Sequence, residues 1–173
     1  MKQKNILGPR LLAFGIDYLL LIIYASILYF ATTGIFDVDV NNTVGSSPFM
    51  AQFIGFVTLT LPVFLYFYLQ ENSAKKSTIG KKIMGLRVEA RTLNKSRSIL
   101  MRNILKFLPW EAAHFGVHQM FYFSSINEPE PLWVWVFLIL PQLIVLMYFS
   151  TIIISKGRAG FYDVFAGTKI EKN

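Results

Sequence analysis

Three long apolar blocks dominate the chain. Residues 11–33 and 132–154 form blocks of 23 residues, and residues 49–69 form one of 21; among their side chains Asp17 is the single Asp, Glu, Lys or Arg. About 20 helical residues cross a hydrocarbon core of about 30 Å. The pattern therefore predicts three membrane-spanning helices.

A fourth block, residues 107–123, is shorter and contains Glu111, His114 and His118, so hydropathy alone leaves its assignment open. The basic residues favour a crossing. All 17 Lys and Arg precede residue 11, lie between residues 69 and 107, or follow residue 154, whereas residues 34–48 and 124–131 contain acids only. By the positive-inside rule, both termini and the 70–106 loop are cytoplasmic. That alternation requires residues 107–123 to cross, and a re-entrant hairpin is the alternative.

Composition narrows the function classes. Hydrophobic residues make up 54% of the chain and charged residues only 16%, unlike an ordinary soluble domain. The absence of Cys excludes a disulfide framework, a thiolate metal site and a Cys nucleophile. The net charge of +7 follows from membrane insertion, so we expect a lipid bilayer and no nucleic acid as partner. No hydroxyl in the spans has an evident paired base, so we expect neither an enzyme nor a cofactor.

The connecting segments predict smaller elements at the membrane surface. Residues 77–84 have the basic, partly apolar pattern of a short helix on the headgroups, with Ser77 as its cap. Residues 86–93 alternate as a strand does, and Asn94-Lys95 is then a turn. Residues 156–168 predict an interfacial hook. The expected fold is an all-α integral membrane protein, a single domain over residues 1–173, with four transmembrane helices, a basic cytoplasmic loop and a C-terminal interfacial segment.

Several motifs carry a family resemblance. They are Gly8-Pro9-Arg10-Leu11-Leu12-Ala13 with Ile16-Asp17, the run T-I-G-K-K-I-M-G-L-R-V at residues 78–88, Arg102-Asn103, and Asp163 followed by Ala166-Gly167-Thr168. In combination these motifs resemble the RDD family of multi-pass membrane proteins. That family is named for one Arg and two Asp, which match here as Arg10, Asp17 and Asp163.

The resemblance implies two classes of function. Some family members are linked to exchange of sodium or another monovalent cation for protons, and others to the regulation or assembly of neighbouring membrane proteins. We accordingly expect a bacterial cell membrane as the location. The resemblance fixes the class of protein more firmly than its activity.

Four ionisable residues lie in the predicted spans, where each is costly and is a functional candidate. They are Asp17, Glu111, His114 and His118. At about 100° per residue, Glu111, His114 and His118 fall within a wedge of about 60° on one helix face. That face could be a protonatable seam, a metal site built from Glu111, His114 and His118, or polar helix packing without transport.

Three further charges predict a structural latch. Arg10 and Asp163 lie at the expected interface within reach of each other, and Arg102 lies at the mouth of the third span. Asp17 is either part of this latch or a proton or cation site. We expect its carboxylate to meet Arg102, Lys106 or protonated His114.

Together with the family resemblance, these residues predict a transporter that exchanges a small monovalent cation for protons, through Asp17 and the face formed by Glu111, His114 and His118. A homodimer would give more room for a pathway than one chain of four spans. The alternative function is that of a non-transporting accessory protein, which binds another membrane protein.

Overall fold

The computed structural model describes residues 5–34 and 47–173, so most of the acidic connection between the first two blocks lies outside the described residues. Helix α2, Pro48–Asn72, includes one π-helical turn, Phe56–Thr60. The other elements, in chain order, are helix α1 (Leu7–Gly34), helix α3 (Ile79–Ile83), strand β1 (Leu86–Ala90), helix α4 (Lys95–Ser125), helix α5 (Leu132–Ile154), helix α6 (Phe161–Phe165) and strand β2 (Thr168–Lys172).

Helices α1, α2 and α5 are long and apolar enough to cross a membrane. They contain the three long apolar blocks, so the chain is a multi-pass membrane protein. The expected fourth span is not among these three helices. Residues 107–123 form the second half of α4, whose 31 residues begin at Lys95, and Glu111, His114, His118 and Gln119 make this half less apolar than the three candidate spans. The prediction of a turn at Asn94-Lys95 is therefore wrong. The Asn94 side chain accepts a hydrogen bond from Arg97 N at 3.0 Å and caps α4.

The long helices bury polar side chains and expose apolar ones, which is the reverse of the arrangement in a soluble protein. In α1 the buried residues are Arg10, Ala13 and Asp17, two of which are ionisable. Large apolar side chains face outward; Phe30 and Phe49, for example, are each 69% exposed. A continuous apolar exterior of this kind is favourable only against lipid, because water would not solvate it.

Helix α4 lies alongside both α2 and α5. Phe115 of α4 contacts Phe49 of α2 and Phe137 of α5, with ring centroids 6.0 and 5.0 Å apart. A Cβ atom at Gly116 would lie 3.1 Å from Phe137 backbone, so the missing side chain allows α4 and α5 to approach closely. The second half of α4 is thus packed between two candidate spans.

One end of each long helix meets a small folded layer that contains α3, β1, α6 and β2: the N-terminal ends of α1 and α4 and the C-terminal ends of α2 and α5. We call this region the basic end. Strands β1 and β2 pair antiparallel there, from Leu86 opposite Lys172 to Ala90 opposite Thr168. This sheet corrects the expectation of an all-α fold: the predicted strand is present, but its partner is the C-terminal segment, which was expected to be only an interfacial hook. An apolar core joins the sheet to α1 and α4 through Ile6, Ala13, Leu86, Val88, Ile99 and Ile170.

The predicted short helix is also present, with two differences. Helix α3 begins after Thr78 rather than Ser77, since the Thr78 hydroxyl accepts from Lys81 N at 3.4 Å. It packs against α1 instead of lying only on headgroups: a Cβ atom at Gly80 would collide with the carbonyl oxygen of Ala13. Only glycine permits this contact between α3 and α1.

Candidate functional site

Asp163, in the first turn of α6, is fully buried and receives two guanidinium groups. Arg10 Nη2 lies 2.6 Å from Asp163 Oδ2, and Arg102 Nε lies 2.7 Å from Oδ1. Gly160 N and the Thr168 hydroxyl also donate to this carboxylate, at 2.8 and 3.1 Å. The structure thus brings together the three residues expected to form a latch, Arg10, Arg102 and Asp163.

The same arginine reaches a second buried carboxylate. Arg102 Nη1 lies 2.5 Å from Glu71 Oε2, and Lys81 Nζ lies 2.9 Å from Glu71 Oε1. Asn103 Nδ2 donates to Glu71 Oε2 at 3.1 Å. We call Arg10, Glu71, Lys81, Arg102 and Asp163 the buried ion network. It joins α1, the end of α2, α3, α4 and α6, so it connects every helix of the basic end except α5.

Charge pairing determines the protonation of Asp163. Burial alone would raise the pKa of this carboxyl, but Arg102 and Arg10 and the hydrogen bonds from Gly160 and Arg10 lower its pKa to about 2. Asp163 is therefore ionised across the physiological pH range. A buried carboxylate with two guanidinium partners and further donors has no free oxygen lone pair of good geometry left for a transported ion.

Asp17 has neutral partners, and its expected pairing with Arg102, Lys106 or His114 is wrong. Its carboxylate accepts hydrogen bonds from the Tyr66 hydroxyl at 3.0 Å, the Thr78 hydroxyl at 2.6 Å and Gly80 N at 2.9 Å. No ion pair of Asp17 occurs among the described residues. Asp17 therefore accepts donors from the start of α3, where a negative charge is favourable, and holds α3 against α1.

Glu111 lies between α4 and α2, in the half of α4 packed between candidate spans. Gln52 Nε2 donates to Glu111 Oε2 at 2.7 Å, and the Thr60 hydroxyl donates to Oε1. No Lys or Arg pairs with Glu111 in the described part of the chain. The carboxylate is thus held by neutral groups, in contrast to Glu71 and Asp163.

His114 and His118 lie, like Glu111, on the face of α4 that meets α2. His118 Nε2 lies 3.8 Å from the position of a Cβ atom at Gly55, and His114 packs edge to face on Trp110 with centroids 4.3 Å apart. A small cavity is lined by polar groups of both helices, together with Gly55, Phe56 and Leu59. We call its polar members, Gln52, Thr60, Glu111, His114 and His118, the Glu111 cluster. The structure brings together the three residues expected on one face of α4, and Asp17 lies apart from them, beside α3.

Two buried polar atoms of the Glu111 cluster have no hydrogen-bond partner among the residues that the structure describes: Gln52 Oε1 and His118 Nδ1. Both can accept a hydrogen bond, and Gln52 Oε1 could also coordinate a cation. Thr60, which donates to Glu111, ends the π-helical turn Phe56–Thr60, and such turns occur often at functional sites. Orphaned acceptors beside an unpaired carboxylate are typical of a site that binds something further.

A metal site of protein ligands receives no support from the geometry. Within residues 5–34 and 47–173, no group of three His, Asp, Glu or Cys side chains could hold a metal ion. Glu111, His114 and His118 lie on one face of α4 but follow the helix for seven residues, so they line a seam rather than converge on one point.

Sequence reasoning missed Glu71, Lys81, Gln52 and Thr60. Glu71 is the single acid between residues 40 and 88, at the end of an apolar block and before a basic loop, and that isolation was a usable signal. Lys81 lay among other lysines, so nothing marked it. Gln52 and Thr60 are eight residues apart on α2, which places both on the helix face that meets α4.

Family comparison agrees with the motifs that meet in these sites. The model of the RDD family matches residues 6–167, which include Arg10, Asp17 and Asp163. No curated protein and no solved structure matches the chain. Because the match covers nearly all of the sequence, the chain belongs to the RDD family.

Proposed function

We propose that this protein exchanges a small monovalent cation for protons across a bacterial cell membrane, and that Glu111 carries the proton. The observation that supports the proposal best is the environment of Glu111. It is a carboxylate between α2 and α4, held by Gln52 and Thr60, with no cationic partner among the described residues. Ionisable groups inside membranes are costly, and they commonly mark ion pathways.

The proposal includes four spans, with α4 crossing the membrane between residues 107 and 123. Its support is the packing of this half of α4 against α2 and α5, together with the placement of the basic residues. Both termini and the basic end then lie on the cytoplasmic side. The Glu111 cluster lies deeper in the membrane than the buried ion network, because Glu111 follows Arg102 by nine residues, or about 13 Å of helix.

Competition at one carboxylate provides the exchange. Protonated Glu111 is neutral, and replacing its proton by a monovalent cation keeps the site neutral, so one proton leaves for each cation that binds. The oxygen atoms of Glu111, Thr60 and Gln52 suit a hard cation, and Gln52 Oε1 is still without a partner. His118 and His114 extend the polar seam along α4 and can relay protons, since one nitrogen of a neutral imidazole donates a hydrogen bond while the other accepts one.

The proposal assigns Asp17 no transport role. The three hydrogen bonds that it accepts from Tyr66, Thr78 and Gly80 attach α3 to α1, which is a structural role. The proposed activity is transport rather than an enzymatic reaction, and it requires no cofactor.

Vesicles loaded with a pH-sensitive dye test the proposal. Purified protein should move protons when a sodium, potassium or lithium gradient is applied, and Glu111→Gln should abolish that flux while the protein stays folded. Glu128→Gln is the matched control, since Glu128 is an exposed glutamate near the end of the same helix. Folded wild-type protein that moves no protons under any of the three gradients would contradict exchange. That result would favour the accessory function.

A further inference from the structure

A second, larger cavity lies between α1, α2, α4 and α5. Its volume is about 500 Å³, within the range of about 300 to 1,000 Å³ common for small-molecule sites. It is separate from the small cavity of the Glu111 cluster, although both touch Thr60 and His114. Most of its wall is apolar, including Leu11, Phe14, Leu21, Val63, Val145 and Phe149.

The position of α1 explains the cavity. This helix packs chiefly against α3 at the basic end, and farther along it touches its neighbours at isolated points. One is the edge-to-face contact of Phe14 with Phe149, and another is the hydrogen bond from the Tyr24 hydroxyl to the Thr58 carbonyl. The remaining space between α1 and the other helices is the cavity, and most of its lining is apolar.

One cation of the cavity wall has no carboxylate partner. Lys106 Nζ lies 3.2 Å from the centre of the Phe67 ring, and no ion pair of Lys106 occurs in the described ranges. Nearby acids are already occupied: Glu71 by Arg102 and Lys81, and Asp17 by neutral donors. Arg10, which also lines the cavity, is committed to Asp163.

Counting charges gives the same result. The buried ion network together with Asp17 and Lys106 has four cations, Arg10, Lys81, Arg102 and Lys106. It has three carboxylates, Asp17, Glu71 and Asp163. Protonated Lys106 is the cation without a carboxylate partner, and because burial lowers its pKa, an anion beside Nζ is needed to keep the charge there. A ligand that fits this cavity therefore needs an anionic group at the basic end and an apolar part along the wall. A molecule with both parts is an amphiphile.

We propose that this cavity binds an anionic phospholipid of the bilayer, with one acyl chain against the apolar wall and the phosphate on Lys106. The ammonium group is a compact donor that suits a phosphate oxygen, and Tyr162, which lines the same end, offers a hydroxyl. A cationic substrate does not fit this site, because Lys106 and Arg10 repel it. The inference does not rest on cation exchange, and either can fail without the other.

Native mass spectrometry of protein taken from phosphatidylcholine nanodiscs with one-tenth phosphatidylglycerol tests the inference. Wild-type protein should retain one phosphatidylglycerol molecule per chain. It should retain far less phosphatidylcholine. Lys106→Met keeps the length of the side chain and removes its charge, and it should reduce retention at least tenfold. Lys82→Met is the control, because Lys82 is an exposed lysine of the same basic end outside the cavity.

A second pair of variants tests the cavity without touching the charge. Val145→Trp fills it and should also reduce retention at least tenfold, whereas Val136→Trp, on the exposed face of α5, should retain the lipid. This pair decides the matter if Lys106→Met does not fold. Equal retention of both lipids by wild-type protein would overturn the proposal, and so would unchanged retention in Val145→Trp. Thermal stabilisation by inorganic phosphate as large as that by phosphatidylglycerol would also overturn it, because the acyl chain would then contribute nothing.

Discussion

The buried ion network and the Glu111 cluster both place charge inside a largely apolar helix bundle, yet they satisfy it in opposite ways. In the network each carboxylate faces two cations, and Arg102 bridges Glu71 and Asp163. In the cluster, Glu111 has two neutral donors, and two neighbouring polar atoms have no partner. Mutual neutralisation favours one fixed arrangement, whereas an incompletely satisfied carboxylate can exchange its ligand. The comparison separates a structural site from a candidate functional one.

Removing Arg102 should give the largest effect, because it breaks both ion pairs of the network at once. Arg102→Met leaves Glu71 and Asp163 buried with fewer partners, and loss of one member of a buried pair costs about 3–5 kcal/mol. Thermal unfolding in detergent should show a large decrease in midpoint and in folded yield. Arg97→Met, on the exposed part of α4, is the control. If the two variants unfolded at the same temperature, the network would not stabilise the fold.

Acidification should weaken the network next. The pKa of Asp163 is about 2 in the folded protein, below its value of about 3.9 in an unfolded chain. The stabilisation is therefore complete above about pH 5 and is lost as the pH falls through 4 toward 2; it amounts to about 2–3 kcal/mol. The free energy of unfolding, measured at several pH values, should follow this course. Asp163→Asn should flatten it, and an equally steep decrease in that variant would place the acid sensitivity elsewhere.

Asp17→Asn should have a smaller effect on stability. The amide replaces one acceptor oxygen with a donor facing Thr78, so at least one hydrogen bond to a charged group is lost, at a cost of about 1.5–3 kcal/mol. Hydrogen exchange should show increased exchange in α3, while proton flux per folded molecule stays unchanged. Tyr66→Phe, which removes one donor to the same carboxylate, should show a weaker form of this effect. Loss of flux in stable Asp17→Asn protein would return Asp17 to the transport pathway.

Glu111→Gln should change stability least, by less than about 1 kcal/mol, because no ion pair is broken and the Gln52 amide can turn so that its Oε1 accepts from the new NH2 group. Unfolding of this variant, compared with Glu128→Gln, measures that difference. Together with Arg102→Met it forms the sharpest comparison of the two regions. A cost as large as that of Arg102→Met would show that Glu111 is also a structural charge.

The sequence allowed three long helices to be predicted, because an uninterrupted apolar run of more than 20 residues has few other uses. Strand β1 could be predicted from its alternation, and Arg10 and Asp163 were conspicuous as charges at the edges of apolar segments. The helical content of residues 95–106 was hidden, since their basic residues look like those of any cytoplasmic loop. Local sequence pattern was sufficient to predict a helix or strand whose formation depends mainly on its own residues.

The missed contacts all join residues far apart in the chain. Asp17 accepts from Gly80 N, and a backbone donor has no signature of its own in the sequence. The pairing of β1 with β2 joins residues more than 75 positions apart. Glu111 could be identified as an ionisable residue on a polar helix face, but its partners on α2 depend on how the two helices pack. Predicting such contacts requires the tertiary arrangement.

Helix α6 and strand β2 follow all four long helices in the chain, and this order has a consequence for biogenesis. Until they emerge from the ribosome, Arg10 and Arg102 lack Asp163, and the edge of β1 lacks its hydrogen-bonding neighbour. Helix α6 must therefore reach α1 and α4, which precede it in the chain, before Arg10 gains its carboxylate partner. Synthesis of residue 163 therefore completes the buried ion network: until then Arg102 has only Glu71 as a carboxylate partner, and Arg10 has none among the described residues.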